Sequence, residues 1–332
     1  MTEMLLWCAA ISGAVAFVLV GIVRRIALRH GVLDHPTERS SHAVPTPRGG
    51  GLGVLLAILG AGAWYATQFR GTSLAMLLVA AAAVGLVGWI DDRRGLSVAT
   101  RLVVHVLAGA TVGAAAAVAP RAGALALLLF AAWTFWTVSS INLVNFMDGI
   151  NGLVASQIAV FAFSLACFPD RTASAAFLEI AVGAACTGFL PWNFPRARIF
   201  LGDVGSGALG FLVPMLALLA LQGQGVDIVR AHLPLLPLFG DAAWTILRRW
   251  RNGERLTAPH RNHLYQRLAN DGWGHTAVTM LYSVAAVCGA LAAHLSGDPW
   301  RSPWILSYTA LILLTGGILH RRSTASVRIA TR

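Results

Sequence analysis

Long apolar runs alternate with short polar ones along almost the whole chain. Eleven runs are of the length, about 20 residues, that a helix needs to cross a bilayer. They lie at 4–23, 50–69, 72–90, 102–119, 123–144, 152–168, 173–193, 205–222, 231–247, 275–295 and 303–320. Small residues recur inside them, as in Ala80 to Ala83 and Ala114 to Ala117, which suits close helix packing in lipid. The pattern predicts an all-α, polytopic membrane protein of about eleven spans. One integral domain is expected over 1–320, followed by a basic, flexible cytoplasmic tail at 321–332. No fixed-period repeat and no soluble insertion of domain size interrupts the pattern.

Composition agrees. The chain is 57% hydrophobic and 12% charged, with mean hydropathy +0.68, which excludes a soluble domain of 332 residues. Charge adds orientation. All 25 basic residues are Arg, and 20 of them fall after the odd-numbered spans or in the tail. Only Arg70, Arg121, Arg171, Arg230 and Arg301 fall on the other side. This bias places the N-terminus outside and the C-terminus in the cytoplasm. Outer loops are then short, and the longest inner loops are 24–48 and 248–274. The N-terminus has no basic n-region or cleavage site, so the first span is expected to be retained. The net charge of +11 suits anionic lipid head groups. Nucleic acid is not an expected partner, because no basic soluble domain exists to carry it. Cys8, Cys167, Cys186 and Cys288 all fall in spans with no CxxC pair, and read as small packing residues.

Five polar stretches carry the candidate chemistry, and this topology puts all of them on the cytoplasmic face. They begin at Asp34, Asp91, Asn142, Phe200 and Ala258. Asp91 and Asp92 end the third span. They are either a helix end with Arg93 and Arg94 as local partners, or carboxylates that accept a proton or position a metal. Cations, not carboxylates, suit a helix C-terminus, which favours function. Asn142, Asn145 and Asp148 recur at spacing three on one helical face and enter the turn Gly149-Ile150-Asn151-Gly152. The asparagines could bond neighbouring helices, but with Asp148 and a glycine turn they read as a ligand site. Phe200-Leu201-Gly202-Asp203-Val204-Gly205-Ser206-Gly207 precedes the eighth span. Glycine and serine at a helix start suit a phosphate, with Asp203 acting through magnesium or simply as an N-cap. His260, Arg261 and His263 sit in a basic loop where they could pair with phosphate oxygens. A zinc site is disfavoured, since no cysteine is near. Asp241, inside the ninth span, and Glu179, inside the seventh, are further candidates, with Asp241 favoured and Glu179 read as snorkelling or paired. His105 and His294 read as packing or interfacial residues.

In order, side and spacing, these motifs resemble the polyprenyl-phosphate N-acetylhexosamine-1-phosphate transferases, from Asp34 to about Leu268. PHRNHLYQRL looks most like the O-antigen-initiating, undecaprenyl-phosphate branch. The resemblance implies transfer of a sugar-1-phosphate from UDP-GlcNAc or a UDP-N-acetylated 6-deoxyhexose to undecaprenyl phosphate, with release of UMP. It implies magnesium as cofactor, with manganese an alternative, and a bacterial inner membrane with the site on its cytoplasmic face. Asp203 is implied as a metal ligand, Asp91 as the carboxylate that handles the lipid phosphate, and Asp92 as its support. Asn145 and Asp148 resemble the pair near uridine and the metal, and Phe200 the aromatic that stacks on uracil. Asn142 and Gly149 fall with them on the substrate side. His260, Arg261 and His263 resemble the loop that contacts phosphate and sugar. Two departures stand out: Asn151 replaces an acid found in several relatives, and no Lys occurs, so positions that use Lys in relatives are served by Arg, with Arg39, Arg48 and Arg101 the candidates, or not at all. A homodimer is compatible with the resemblance. The peptidoglycan translocase of the same family typically carries three consecutive His where this chain has His260-Arg261-Asn262-His263, and is the nearest rival. A transporter would place polar residues at mid-bilayer in paired halves, and a non-catalytic scaffold would not need Asp91, Asp148 and Asp203 together.

Overall fold

The computed structural model describes residues 2–36, 44–69, 72–118, 123–168, 173–222, 226–255, 261–297 and 302–330. Each apolar run folds as helix. The first eight are α1 (Thr2–Arg29), α2 (Gly51–Phe69), α3 (Thr72–Arg94), α4 (Val98–Ala117), α5 (Ala124–Met147), α6 (Leu153–Ala166), α7 (Ala173–Asn193) and α8 (Gly202–Gln222). The ninth run is broken. A short α9 (Ile228–His232) passes through a tighter turn at Leu233–Leu235 into α10 (Leu236–Arg251). Pro234 and Pro237 fall at this break, where neither can donate a helical hydrogen bond. α11 (Leu264–Leu268), α12 (Gly274–His294) and α13 (Pro303–Ala330) complete the bundle. Strand is confined, among the described residues, to β1 (Leu33–Asp34) and β2 (Thr46–Pro47), with Asp34 opposite Thr46.

The all-α membrane architecture is as expected. By length and composition, seven helical segments among the described residues are able to cross a membrane: α1 to α5, α8 and the run Leu264–His294, with α6 and Pro303–Leu319 as shorter apolar helices. α13 continues to Ala330, past the boundary expected at 320.

α8 lies at the centre. Every residue from Val204 to Leu218 is buried, as an all-apolar helix requires. It packs against α3 and α5, with α4 on α5, α1 on α2 and α7, and α6 on α7. Outer helices show the reverse pattern, with Leu127, Leu128 and Phe135 of α5 exposed where lipid replaces water. Between lipid-facing helices no hydrophobic drive acts, so close contact and hydrogen bonds hold them. Ser140 Oγ donates to the Gly210 carbonyl at 2.7 Å, joining α5 to α8. Such a bond contributes about 0.6 kcal/mol. At Gly88 an added Cβ would lie 2.3 Å from the Asp203 carbonyl oxygen, so α3 touches the start of α8 with no side chain between them. That contact brings Asp91 and Asp92, one turn along α3, to the start of α8.

Burial sorts the remaining single residues, some as expected and some not. Glu179 is 1% exposed, so it does not snorkel. Cys8 and Cys186 are buried packing residues, but Cys167 and Cys288 are exposed on the surface of the bundle. His105 is buried in α4, and His294 stacks on Phe168 with ring centroids 4.2 Å apart, both as packing residues.

Candidate active site

Residues from all five polar stretches meet at one end of the bundle. The backbone brings the first and fourth together. Phe200 N–H donates to the Pro47 carbonyl, Gly50 N–H to that of Phe200 and Gly51 N–H to that of Leu201, each at 2.8 Å. This zipper sets Arg48 beside Asp203. Gly202 then turns the chain into α8 with φ +75, a conformation glycine adopts at no steric cost. A Cβ there would also meet Asp92 Oδ2 at 2.6 Å.

The expected helix-start phosphate site is filled by the protein itself. Asp92 Oδ1 accepts from Asp203 N–H at 3.1 Å, and Asp92 Oδ2 from Val204 N–H at 3.3 Å. A carboxylate of α3 thus caps α8, an arrangement the helix dipole favours by about 0.3–2 kcal/mol. The partners of Asp91 and Asp92 are not Arg93 and Arg94; Arg93 lies over the Trp89 ring at 3.9 Å. Arg48 Nε bridges to Asp92 Oδ1 at 2.9 Å, and Arg48 Nη2 lies 3.5 Å from Asp203 Oδ1. Arg101 Nη1 holds Asp91 Oδ2 at 2.7 Å and lies 3.8 Å from Asp203 Oδ2. Asp91 Oδ1 accepts from Leu96 N–H. Burial works against the Arg48 charge, but Asp92, Asp203, Asp34 and Asp148 outweigh it and hold its pKa above the usual value.

A cavity of about 240 Å³ opens beside this cluster. Arg48, Asp203 and Phe200 line one side, with Asp34 from β1. Asn145, Asp148, Gly149 and Asn151 line another. Asp148 follows the last turn of α5, where burial first and the nearby Asp203 charge second push its carboxyl up to about 7. Asn142 does not join them: its amide donates to the Val138 carbonyl at 2.7 Å, within its own helix. Gly149 has a packing reason to be glycine, since a Cβ would lie 2.2 Å from Tyr265 Oη. Asn151 lines the cavity while donating to the Pro195 carbonyl at 3.0 Å. Asn193, which sequence reasoning missed, accepts from Gly152 N–H at 2.6 Å and donates to Ile199 at 2.9 Å, tying the two turns together.

The third side is the segment after α10. Asp241 is its anchor, not a cavity residue. Its carboxylate accepts from Leu264 N–H at 2.7 Å, Tyr265 N–H at 3.1 Å and Tyr282 Oη at 2.7 Å. Arg261, Gln266 and Asn270 line the cavity from this side. His263 does not. It is buried against Tyr265 and Phe146, and burial together with the charges of Arg249 and Arg248 lowers its pKa to about 4. At 3.9 Å from Asp241 a neutral imidazole forms no ion pair. His260 lies outside the described residues.

The donor set tests what ion the site could take. Asp148 and Asp203 line the cavity with hard oxygens, and among the described residues no Cys or His lines it. Like charges crowd there, which a shared proton or a cation relieves. No cluster of three or more His, Cys, Asp or Glu is arranged to hold a metal among the described residues. A protein-only cage is therefore not built. The set fits a hard divalent ion bound by one or two carboxylates that takes its other ligands from phosphate and water.

The fold and cavity define a polytopic membrane protein with an anion-receptive, carboxylate-lined site at the common end of its helices. Residues 74–221 match the family model Glycosyl transferase family 4. Similar proteins include a decaprenyl-phosphate N-acetylglucosaminephosphotransferase of Mycobacterium tuberculosis, 33% identical over 314 residues, covering 81% of this chain and 77% of that protein. A probable undecaprenyl-phosphate N-acetylglucosaminyl 1-phosphate transferase of Bacillus subtilis is 27% identical over 321 residues, covering 89% and 86%. An undecaprenyl-phosphate alpha-N-acetylglucosaminyl 1-phosphate transferase of Yersinia pestis is 26% identical over 339 residues, covering 94% and 90%. The chain belongs to glycosyl transferase family 4 and is an enzyme of the phosphoglycosyl transferase kind.

Proposed function

We propose that this chain transfers N-acetylglucosamine-1-phosphate, or the 1-phosphate of a related N-acetylated 6-deoxyhexose, from its UDP ester to undecaprenyl phosphate. An oxygen of the lipid phosphate bonds to the β-phosphorus. The bond from that phosphorus to the bridging oxygen breaks, and UMP leaves with the electron pair. The carrying observation is that Asp148, Asp203, Arg48 and Arg261 line one cavity together with Phe200, Asn145 and Asn151. Two anions must meet for this reaction, so positioning and charge neutralisation carry most of the barrier.

Arg48 and Arg101 supply fixed positive charge, each already held by a carboxylate of α3. Asp203 and Asp148 hold magnesium, or manganese in its place, which when bound neutralises the phosphate oxygens. Phe200 supplies an aromatic face for uracil, with Asn145 and Asn151 beside it. Asp91 and Asp92 act from behind. Asp92 orders the start of α8, and Asp91 orients Arg101, which also lies 3.8 Å from Asp203. The lipid phosphate carries little residual proton at neutral pH, so the carboxylates need take up only that. With Oδ1 held by Leu96 N–H and Oδ2 by Arg101, Asp91 is poorly placed to act as a nucleophile, which favours direct attack by the lipid.

The site would face the cytoplasm of a bacterial inner membrane, by the Arg asymmetry. The product would start an envelope glycan, O-antigen among those that begin this way. The relatives from Mycobacterium, Bacillus and Yersinia share in their names the sugar phosphate and a polyprenyl acceptor, not one glycan. The test incubates purified protein with undecaprenyl phosphate, magnesium and a panel of UDP-sugars, and measures UMP. Release only with lipid present, fastest with UDP-N-acetylhexosamines, is expected. No UMP from any of them overturns the reading. A labelled protein formed from UDP-sugar without lipid would replace direct attack by a two-step route.

A further inference from the structure

On the third side of the cavity, Gln266 Oε1 and Arg261 Nη2 are buried polar atoms with no hydrogen-bond partner among the described residues. Both residues line the cavity. A buried acceptor or donor left unpaired is costly, so such atoms in a cavity point to a ligand that completes them.

Gln266 Oε1 is an amide oxygen and can only accept a hydrogen bond. Its neighbour Tyr265 is fixed, with Oη donating to the Phe146 carbonyl at 3.0 Å. Asp241 fixes the backbone beneath through the N–H groups of Leu264 and Tyr265, so this acceptor sits on a rigid turn. A ligand must bring a donor to Gln266 and an acceptor to Arg261.

We propose that Gln266 is a specificity-determining residue for the transferred sugar, its Oε1 accepting the N–H of a 2-acetamido group whose carbonyl meets Arg261. An acetamido group offers one donor and one acceptor, the chemical complement of this acceptor and donor. The inference rests on the reading that the donor is a UDP-N-acetylhexosamine. It goes further by assigning recognition of the acetamido group to Gln266, which the sequence motifs did not single out.

The test compares UDP-N-acetylglucosamine with UDP-2-deoxyglucose, which lacks the group. A site built to hydrogen-bond a substrate group rejects an analogue without it. The wild type should favour the acetamido donor in kcat/KM by more than about a hundredfold. Gln266→Met should cut that preference about tenfold or more, because Met fills the space but accepts no hydrogen bond. UMP affinity of the variant, measured by calorimetry, reports whether the rest of the cavity is intact. An equal loss for both donors, with UMP affinity retained, overturns the proposal. Should the variant lose UMP affinity, wild-type affinities for the two donors decide alone, and equal values overturn it. Failure of the wild type to release UMP from any donor is a separate outcome, and it sinks the reaction itself together with this inference.

Discussion

The two sides of the cavity solve opposite problems. On the side of α3 and α8, charged groups are satisfied within the protein. Asp92 is held by two N–H groups and Arg48, and Asp91 by Leu96 and Arg101. On the side of α10 and α11, one buried carboxylate, Asp241, pins the backbone, and polar tips are left over to face the cavity. A closed network holds its geometry whether or not a ligand is present, which suits phosphate chemistry common to every donor. An open set of tips is completed by the ligand, which suits telling one sugar from another. The contrast predicts that mutations on the first side lower all rates and those on the second change preferences.

The largest effect should come from Asp203→Asn. Its side chain faces the cavity and is held by neither helix cap, so the fold should survive while activity falls about a thousandfold or more. UMP release measures the loss, and a melting curve in detergent checks the fold. Near-normal activity would remove Asp203 from the ion site. In wild type, EDTA should stop the reaction and added magnesium restore it.

Next in size is a pH effect on the ion. The Asp148 carboxyl lies up at about 7, so in metal-free protein it is largely protonated below that pH. A ligand must lose its proton to bind, so affinity for Mn²⁺ should fall about tenfold per pH unit below 7 and level off above it. Titration followed by electron paramagnetic resonance measures this. Asp148→Asn should flatten the profile. An unchanged slope in that variant would exclude Asp148 as a ligand.

A smaller effect separates the two sides directly. Phe200→Ala should raise KM for all UDP-sugars alike, by about tenfold, with kcat little changed, since loss of stacking removes binding common to them. If Phe200→Ala changed the ranking of sugars, and Gln266→Met weakened all of them equally, the sides would be assigned the wrong way round.

These contrasts also mark what the chain discloses unfolded. The helices were legible because each is a continuous apolar run, and hydrocarbon leaves the backbone no alternative to internal hydrogen bonds. The site's location was legible because polar side chains at the ends of such runs are few. Partner choice was not. Asp92 caps α8 across 111 residues of sequence, and only the contact at Gly88 makes that possible. Read locally, Arg93 and Arg94 were its natural partners. Likewise Asn193 stands apart from every polar motif, and Gln266 sits inside a polar stretch whose spacing gave no sign that it would line the cavity. The motif around residue 260 marked the right segment, but burial in the fold, not residue type, decides that Arg261 and Gln266 line the cavity and His263 does not.

His263 gives the smallest predicted effect and the sharpest check on that last point. An imidazole serving as general acid or base contributes about a hundredfold to ten-thousandfold in rate, and works best with a pKa near the working pH. The His263 pKa is lowered to about 4 by burial and by Arg249 and Arg248, its side chain is 2% exposed, and it lies behind Tyr265. It is neutral at pH 7, and its charge appears only as pH falls through about 4. His263→Gln should therefore lower thermal stability, because a buried, packed ring is lost. The kcat/KM of the folded enzyme should change less than about fivefold, equally for every donor, with the pH–rate profile between 6 and 8 unmoved. A loss above about a hundredfold, with UMP affinity and melting temperature intact, would give His263 a direct part in the chemistry. The segment after α10 would then have to move during turnover to bring the ring to the cavity, and the rigid side of this comparison would be α3 and α8 alone.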